Sequence, residues 1–240
     1  MSNQIQKLKG FLRKSKSMSI FMGCPYPAFR WNRAVKRKIY ELGAEAKILD
    51  LGSGNDRRAP NVITLEIEAN SNVDIVGDGH QLPFHDNVFD AIINEAVLEH
   101  VLEPKQIVDE IYRVLKPGGY VCAAVPFLQG FHASPHDYQR YTVPGFNHLF
   151  SAFIKIESGA CAGPTASLHW IFREYVGLML SFGNLLAAKI ISLIIGWVTF
   201  PIILIDYILM INKHSHILAS AVYFVGQKVK TTTTEPTDQK

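Results

Sequence analysis

A glycine turn and three carboxylates stand at matching positions in this chain. Lys47-Ile-Leu-Asp-Leu-Gly-Ser-Gly54 is an apolar run carrying Asp50, and it closes on Gly52, Ser53 and Gly54. Glycine tolerates positive φ and has no Cβ, so this turn lets a ligand approach the backbone. A second apolar run, 62–67, carries Glu66 near its end, where a carboxylate can accept hydrogen bonds from both hydroxyls of a ribose. A third run, 73–78, ends in Asp78, with Gly79 and His80 behind it. The fourth, 88–93, leads to Asn94 and Glu95. Further on, a short stretch gathers His132, His136, Asp137, Tyr138, Arg140 and Tyr141, a dense set for a plain connector. Histidine titrates near neutral pH and suits proton removal from a nucleophile. His136, Asp137, His132 and Arg140 are therefore the candidate catalytic groups. Neighbours on an extended chain point in opposite directions, so Asp137 is as well placed to orient Arg140 or a substrate hydroxyl as to assist His136. No metal is expected, because His132, His136 and Asp137 have neither helical nor finger-like ligand spacing.

The elements that position these groups follow from periodicity. The runs 62–67 and 88–93 are rich in β-branched and apolar residues and predict strands. Helical segments are expected at 96–101 and 104–115, the second stopped by Lys116-Pro-Gly-Gly119, with a further strand at 120–125. Strands alternating with helices at this spacing indicate a mostly parallel α/β sheet with its ligand at the carboxyl ends of the strands. Asp50, Glu66 and Asp78 all fall at such ends.

On these residues the chain resembles the class I S-adenosylmethionine-dependent methyltransferases. The matching blocks are Leu49-Asp-Leu-Gly-Ser-Gly54, Gly77-Asp-Gly-His-Gln-Leu-Pro-Phe84, Phe89-Asp90, Leu98-Glu-His-Val101 and Arg113-Val-Leu-Lys-Pro-Gly-Gly119. The resemblance implies a Rossmann-like, seven-strand sheet and S-adenosylmethionine as cofactor. It implies that Gly52 and Gly54 border the methionine part, Glu66 the ribose, and Asp78 with Gly79 the adenine, with Asp50 and Ser53 also among the cofactor-binding residues. Asn94 and Glu95 then flank the cofactor, and His100 takes a structural place near it. Two departures stand out: Asp56 replaces a common third glycine, and only residues 55–61 separate Gly54 from the next strand. That link is too short for a crossover helix. A dinucleotide needs the helix N-terminus for its pyrophosphate, so the abbreviated first crossover disfavours one. Arg57 and Arg58 in this link read as solvated loop charges.

Charge and hydropathy add two appendages. Ten of the 24 Lys and Arg residues, and none of the 21 acids, lie in the first 40 residues, which carry +10 against −7 for the remainder. Ile5, Leu8, Phe11 and Leu12 share one helical face among lysines and arginines, so residues 1–18 read as a binder of an anionic membrane surface. No nucleic-acid module is recognisable. Three cysteines without metal spacing suggest a reducing, cytoplasmic compartment. Later, 190–211 is apolar with one acid, Asp206, and as a helix would extend roughly 33 Å, about the thickness of a bilayer core. The run 219–226 reads as the last strand of the sheet. A single crossing before it is therefore excluded, which leaves a membrane hairpin, an interfacial helix pair or an oligomer interface.

The expected organisation is a basic leader at 1–40, a cofactor-binding core at 41–165, an apolar helical insert at 166–213, a final strand within 214–230 and a disordered polar tail at 231–240. The expected activity is O-methylation of a glycan, a lipid-linked saccharide or another membrane-associated small-molecule acceptor, at the cytoplasmic face of a membrane contacted through 1–18 and 175–211. C- or O-methylation of a quinone or other lipid is the alternative, and a non-catalytic, membrane-tethered subunit the rival from another class. A homo-oligomer is compatible with both.

Overall fold

The computed structural model describes residues 26–54 and 57–230. The basic amphipathic segment within 1–18, Asp56 and the 231–240 tail lie outside the described residues. The chain divides into two compact units, one of Phe29–Cys161 with Ala221–Lys240, the other of Met1–Ala28 with Ala162–Ser220.

The first unit opens with helix α1 (Phe29–Leu42) and continues through strands β1 (Ile48–Leu51), β2 (Val62–Glu66), β3 (Ile75–Val76) and β4 (Phe89–Glu95). Helix α2 (Pro104–Val114), strand β5 (Leu115–Pro126), the short helix α3 (Val143–Leu149), strand β6 (Ile154–Ala162) and strand β7 (Ala221–Gln227) complete it. The seven strands lie in the order β3-β2-β1-β4-β5-β7-β6. β1 pairs in parallel with β2 and β4, β4 in parallel with β5, and β7 runs antiparallel to β5. β1 sits between two neighbours and is buried at all four residues, Asp50 included among three apolar ones. α2 starts at Pro104, where a missing N–H costs nothing, and buries Ile107, Val108, Ile111 and Val114 as one stripe.

The first crossover is as short as the sequence indicates, with no helix among residues 57–61. Its arginines are exposed, as expected, but also paired. Arg57 donates to the Val62 carbonyl at 2.7 Å and to Asp74 at 2.6 Å, so the link is stitched to the strands it joins. The helical segment expected at 96–101 is reduced to one 3-10 turn, Leu98–His100. Ala96 takes φ 55° and gives its N–H to the Ala124 carbonyl on β5, which keeps this part of the chain tied to the sheet.

The second unit is helical. α4 (Pro164–Leu180) is followed by α5 (Leu185–Thr199), a 3-10 segment Phe200–Ile205 containing Pro201, and α6 (Asp206–Leu209). Together Leu185–Leu209 form one continuous run, long and apolar enough by length and composition to cross a membrane. Only 22% of its most apolar window is buried, and Ile194, Val198 and Leu204 are among its exposed residues. Gly177 lets α4 and α5 pack closely, since a Cβ there would stand 2.6 Å from the Ala188 carbonyl. Asp206 is fully buried and accepts from the Thr165 and Ala166 N–H groups at 2.8 and 2.9 Å. These are first-turn donors of α4 that have no partner within their own helix.

Candidate functional site

Two groups of side chains assemble at the carboxyl ends of the strands. The first surrounds the turn after β1. Gly52 and Gly54 both have positive φ, 79° and 63°. A Cβ on Gly52 would collide with Val97 at 2.1 Å, whereas the space beside Gly54 is open. The Gly54 N–H donates to the Glu66 carboxylate, which joins the turn to the end of β2. Asp50 is 1% exposed and pairs through Oδ2 with Arg58 Nε at 2.8 Å. Arg58 also reaches the Glu95 carboxylate. Burial pushes the Asp50 carboxyl up to about 6, against the opposing pull of Arg58. Asn94, at the end of β4, donates to the Leu51 carbonyl at 3.2 Å. Asp78 is exposed, and the His80 backbone N–H and ring nitrogen at 2.9 and 2.7 Å hold its carboxyl below the ordinary range. Gly79 beside it packs on α2, where a Cβ would stand 3.3 Å from Ile107.

The second group forms where the loop after β5 is laced to the turn after β4. Tyr138 N–H donates to the Glu99 carbonyl at 2.7 Å, Gln139 donates to the Val101 carbonyl at 2.9 Å, and His100 Nδ1 meets the His136 carbonyl at 2.6 Å. Inside the loop Arg140 makes a two-pronged ion pair with Asp137, and the His132 N–H also donates to Asp137 at 2.8 Å. Burial would raise the Asp137 carboxyl, but Arg140 and the His132 amide outweigh it and bring it down to about 2. Burial likewise works against charge on His132, yet the Glu99 carboxylate, the Gly130 carbonyl and Asp137 together raise its pKa.

The structure thus brings His132, Asp137 and Arg140 together, with Asp137 against Arg140. The His136 ring is separate from them: it is exposed and stacked on Tyr138 with 5.3 Å between centroids. Two contributors have no counterpart in the expected site. Arg58 bridges the acids of β1 and β4 from the short crossover. Glu99 lies fully buried between the His100 and His132 rings.

Residues 37–123 match a family described as a methyltransferase domain. That match falls on the strand order and the glycine–carboxylate cradle just described. Residues 37–123 are similar to that methyltransferase domain, and the fold is that of the class I S-adenosylmethionine-dependent methyltransferases. Among its relatives, a demethylmenaquinone methyltransferase of Listeria welshimeri is 35% identical over 88 residues, 35% of this chain and 37% of that protein. One from Anoxybacillus flavithermus is 37% identical over 78 residues, 31% of this chain and 33% of that protein. The chain therefore matches about a third of the length of these curated relatives. Among solved structures, an S-adenosylmethionine-dependent methyltransferase of Thermotoga maritima superposes with a TM-score of 0.53 at 16% identity, covering 92% of this chain and 97% of that one. The [4+2]-cyclase SpnF gives 0.54 at 18% identity, covering 84% and 81%. At such identities these two share the fold.

The methyltransferase domain's own residues suit its cofactor. Asp50 Oδ1, Ser53 Oγ and Asn94 Oδ1 are buried side-chain atoms with no hydrogen-bond partner among the described residues. They cluster in sequence at the ends of β1 and β4, next to the open space at Gly54. Buried polar atoms are rarely left unpaired, so a polar ligand is the natural partner for this set.

Proposed function

We propose that the chain transfers a methyl group from S-adenosylmethionine to an oxygen or carbon nucleophile of a small, membrane-associated acceptor. The observation that carries this reading is the trio of unpartnered polar atoms beside an open glycine turn. In it, Asp50, Gly52, Ser53, Gly54, Glu66, Asp78, Gly79, Asn94 and Glu95 hold the cofactor, with Glu66 at the ribose and Asp78 at the adenine. S-adenosylmethionine supplies a methyl group on a sulfonium, open to in-line displacement. Chain residues then have to hold and orient the acceptor. Asp137 and Arg140 fix the loop after β5 by their ion pair, and His132 stands beside them facing Glu99. His136, with its ring exposed, is available to an acceptor at the outer edge of that loop.

A quinone or related lipid is the acceptor class with support from relatives, two of which are named for demethylmenaquinone. A lipid-linked saccharide has the polar 135–142 segment in its favour. The exposed apolar run Leu185–Leu209 supports an acceptor that resides in or on a membrane, at its cytoplasmic face.

Calorimetric titration with S-adenosylmethionine tests the first step. Wild type should bind, and Gly54→Asp, which fills the open space, should not. An absence of binding to wild type at high micromolar cofactor would favour the non-catalytic subunit. Radiolabelled methyl transfer into a demethylated quinol or a polyprenyl-linked saccharide then separates the acceptor classes. Vesicle flotation tests the membrane: deleting residues 1–18 and changing Ile194 and Leu204 to Ser should release the protein. Unchanged flotation would point to an interface between copies of the chain instead.

A further inference from the structure

The ion pair between Arg58 and Asp50 is incomplete. Arg57 and Arg58 are neighbours in the first crossover, and their side chains leave it in opposite directions. Arg57 reaches the Val62 carbonyl and Asp74, whereas Arg58 reaches Asp50 on β1 and Glu95 at the end of β4. The guanidinium meets one oxygen of Asp50, Oδ2 at 2.8 Å, and turns another N–H to Glu95. An arginine serving only to neutralise a buried acid would grip both carboxylate oxygens, as Arg140 does on Asp137. Asp50 Oδ1 instead is buried with no hydrogen-bond partner among the described residues. Of the two acids that Arg58 bridges, the Asp50 side chain is 2% exposed and that of Glu95 36%, so Glu95 is the one with room to give way. Among the described residues of the cradle, Asp50, Glu66, Asp78 and Glu95 are acids, and Arg58 is the guanidinium set against them.

We propose that Arg58 binds the α-carboxylate of S-adenosylmethionine and makes the site selective for ligands that carry one. The inference rests on the cofactor reading above. One end of the cofactor is an α-amino acid, an ammonium beside a carboxylate. The ammonium supplies the donor that Asp50 Oδ1 lacks. The carboxylate accepts from the guanidinium as Glu95 gives way. Each charge of this head group then meets an opposite one, so none is left buried and unpaired, the most costly arrangement. Arginine suits the task because its planar fork matches a carboxylate and its charge does not titrate. The acids that outnumber Arg58 suit the net positive charge of the whole ligand.

Calorimetry on the full-length protein compares S-adenosylmethionine with its decarboxylated form, which keeps the adenosine, the sulfonium and the amine. Wild type should bind S-adenosylmethionine about tenfold more tightly or better, as a charge-assisted contact implies. Arg58→Gln should shrink that preference about tenfold by weakening S-adenosylmethionine alone. General damage to the turn would weaken both ligands. Arg57→Gln, directed the other way from the same link, should keep the wild-type preference. If circular dichroism shows that Arg58→Gln fails to fold, the comparison moves to Asp50→Asn against Asp50→Asn/Arg58→Gln, where no buried acid is left without its base. Parallel weakening of both ligands, weakening of neither, or an equal loss of preference in Arg57→Gln overturns the inference and leaves the cofactor reading standing. Wild-type protein that binds neither ligand overturns both.

Discussion

Asp50→Asn is the most direct probe of the cofactor cradle. In the free protein the Asp50 carboxyl lies at about 6 rather than the 3.8 of an exposed aspartate, because burial penalises the charged form more than Arg58 favours it. A displacement of about two units at 1.36 kcal/mol each amounts to about 3 kcal/mol. The sign follows from the raised value. Below about pH 4 the residue is protonated folded and unfolded, and its contribution to stability is fully present. As pH rises from about 4 to 6 the unfolded chain gives up its proton while the folded chain retains it, so that contribution is lost. Asparagine keeps the shape and cannot ionise. D50N should therefore match wild type near pH 4 and exceed it by up to about 3 kcal/mol at pH 7.5. In urea that is a midpoint shift of about 1 M. The same substitution should weaken S-adenosylmethionine binding, so the free protein gains what the complex loses. Urea unfolding without cofactor at pH 4.5, 6 and 7.5 decides the matter. An advantage equal at all three pH values, or absent at 7.5, would refute the reasoning.

Arg58→Ala removes the guanidinium that holds the Asp50 carboxyl down, so the stabilisation from D50N at pH 7.5 should be larger in that background, as a double-mutant cycle will show. Gly52→Ala forces a Cβ to 2.1 Å from Val97 at φ 79° and should cost about 2–4 kcal/mol by thermal unfolding, partly restored by Val97→Ala. Gly54→Ala has open space around it and should cost only the left-handed backbone strain, about 1 kcal/mol. Asp206→Ala leaves the Thr165 and Ala166 amides without an acceptor, and their hydrogen exchange should accelerate about 30-fold, as a loss of about 2 kcal/mol implies.

What the sequence disclosed follows a physical pattern. Asp50, Glu66 and Asp78 were legible because a strand's end and its next polar residue are adjacent in the chain, and parallel topology then aligns those ends. The apolar run was legible because length and composition alone define it. Arg58 was not, since a charge in a short link has no periodicity, and its role depends on Asp50 and Glu95 being brought into reach. Glu99, His100 and His132 come from two loops that meet only once β4 and β5 pair. β6 was obscure as well. Its sequence Ile-Lys-Ile-Glu-Ser-Gly-Ala-Cys-Ala alternates at the exposed end and then becomes small and buried, so neither period persists. The turn at Leu98–His100 reads as helix by composition, and the Ala96–Ala124 hydrogen bond overrides that preference.

The helical unit is closed at its own base. Ser220 gives its N–H to the Ala162 carbonyl at 3.0 Å, so the chain returns to the point where it departed. Everything in 163–219 is thus a loop whose ends are already fixed, and the entropy of closing such a loop grows only with the logarithm of its length. The closure entropy alone changes by less than a kcal/mol per doubling of its length, provided the neck is kept. The length of chain between the two ends is thus weakly constrained by closure alone. A lineage could therefore insert or remove residues between Ala162 and Ser220 at little entropic cost while the hydrogen bond at the neck is kept.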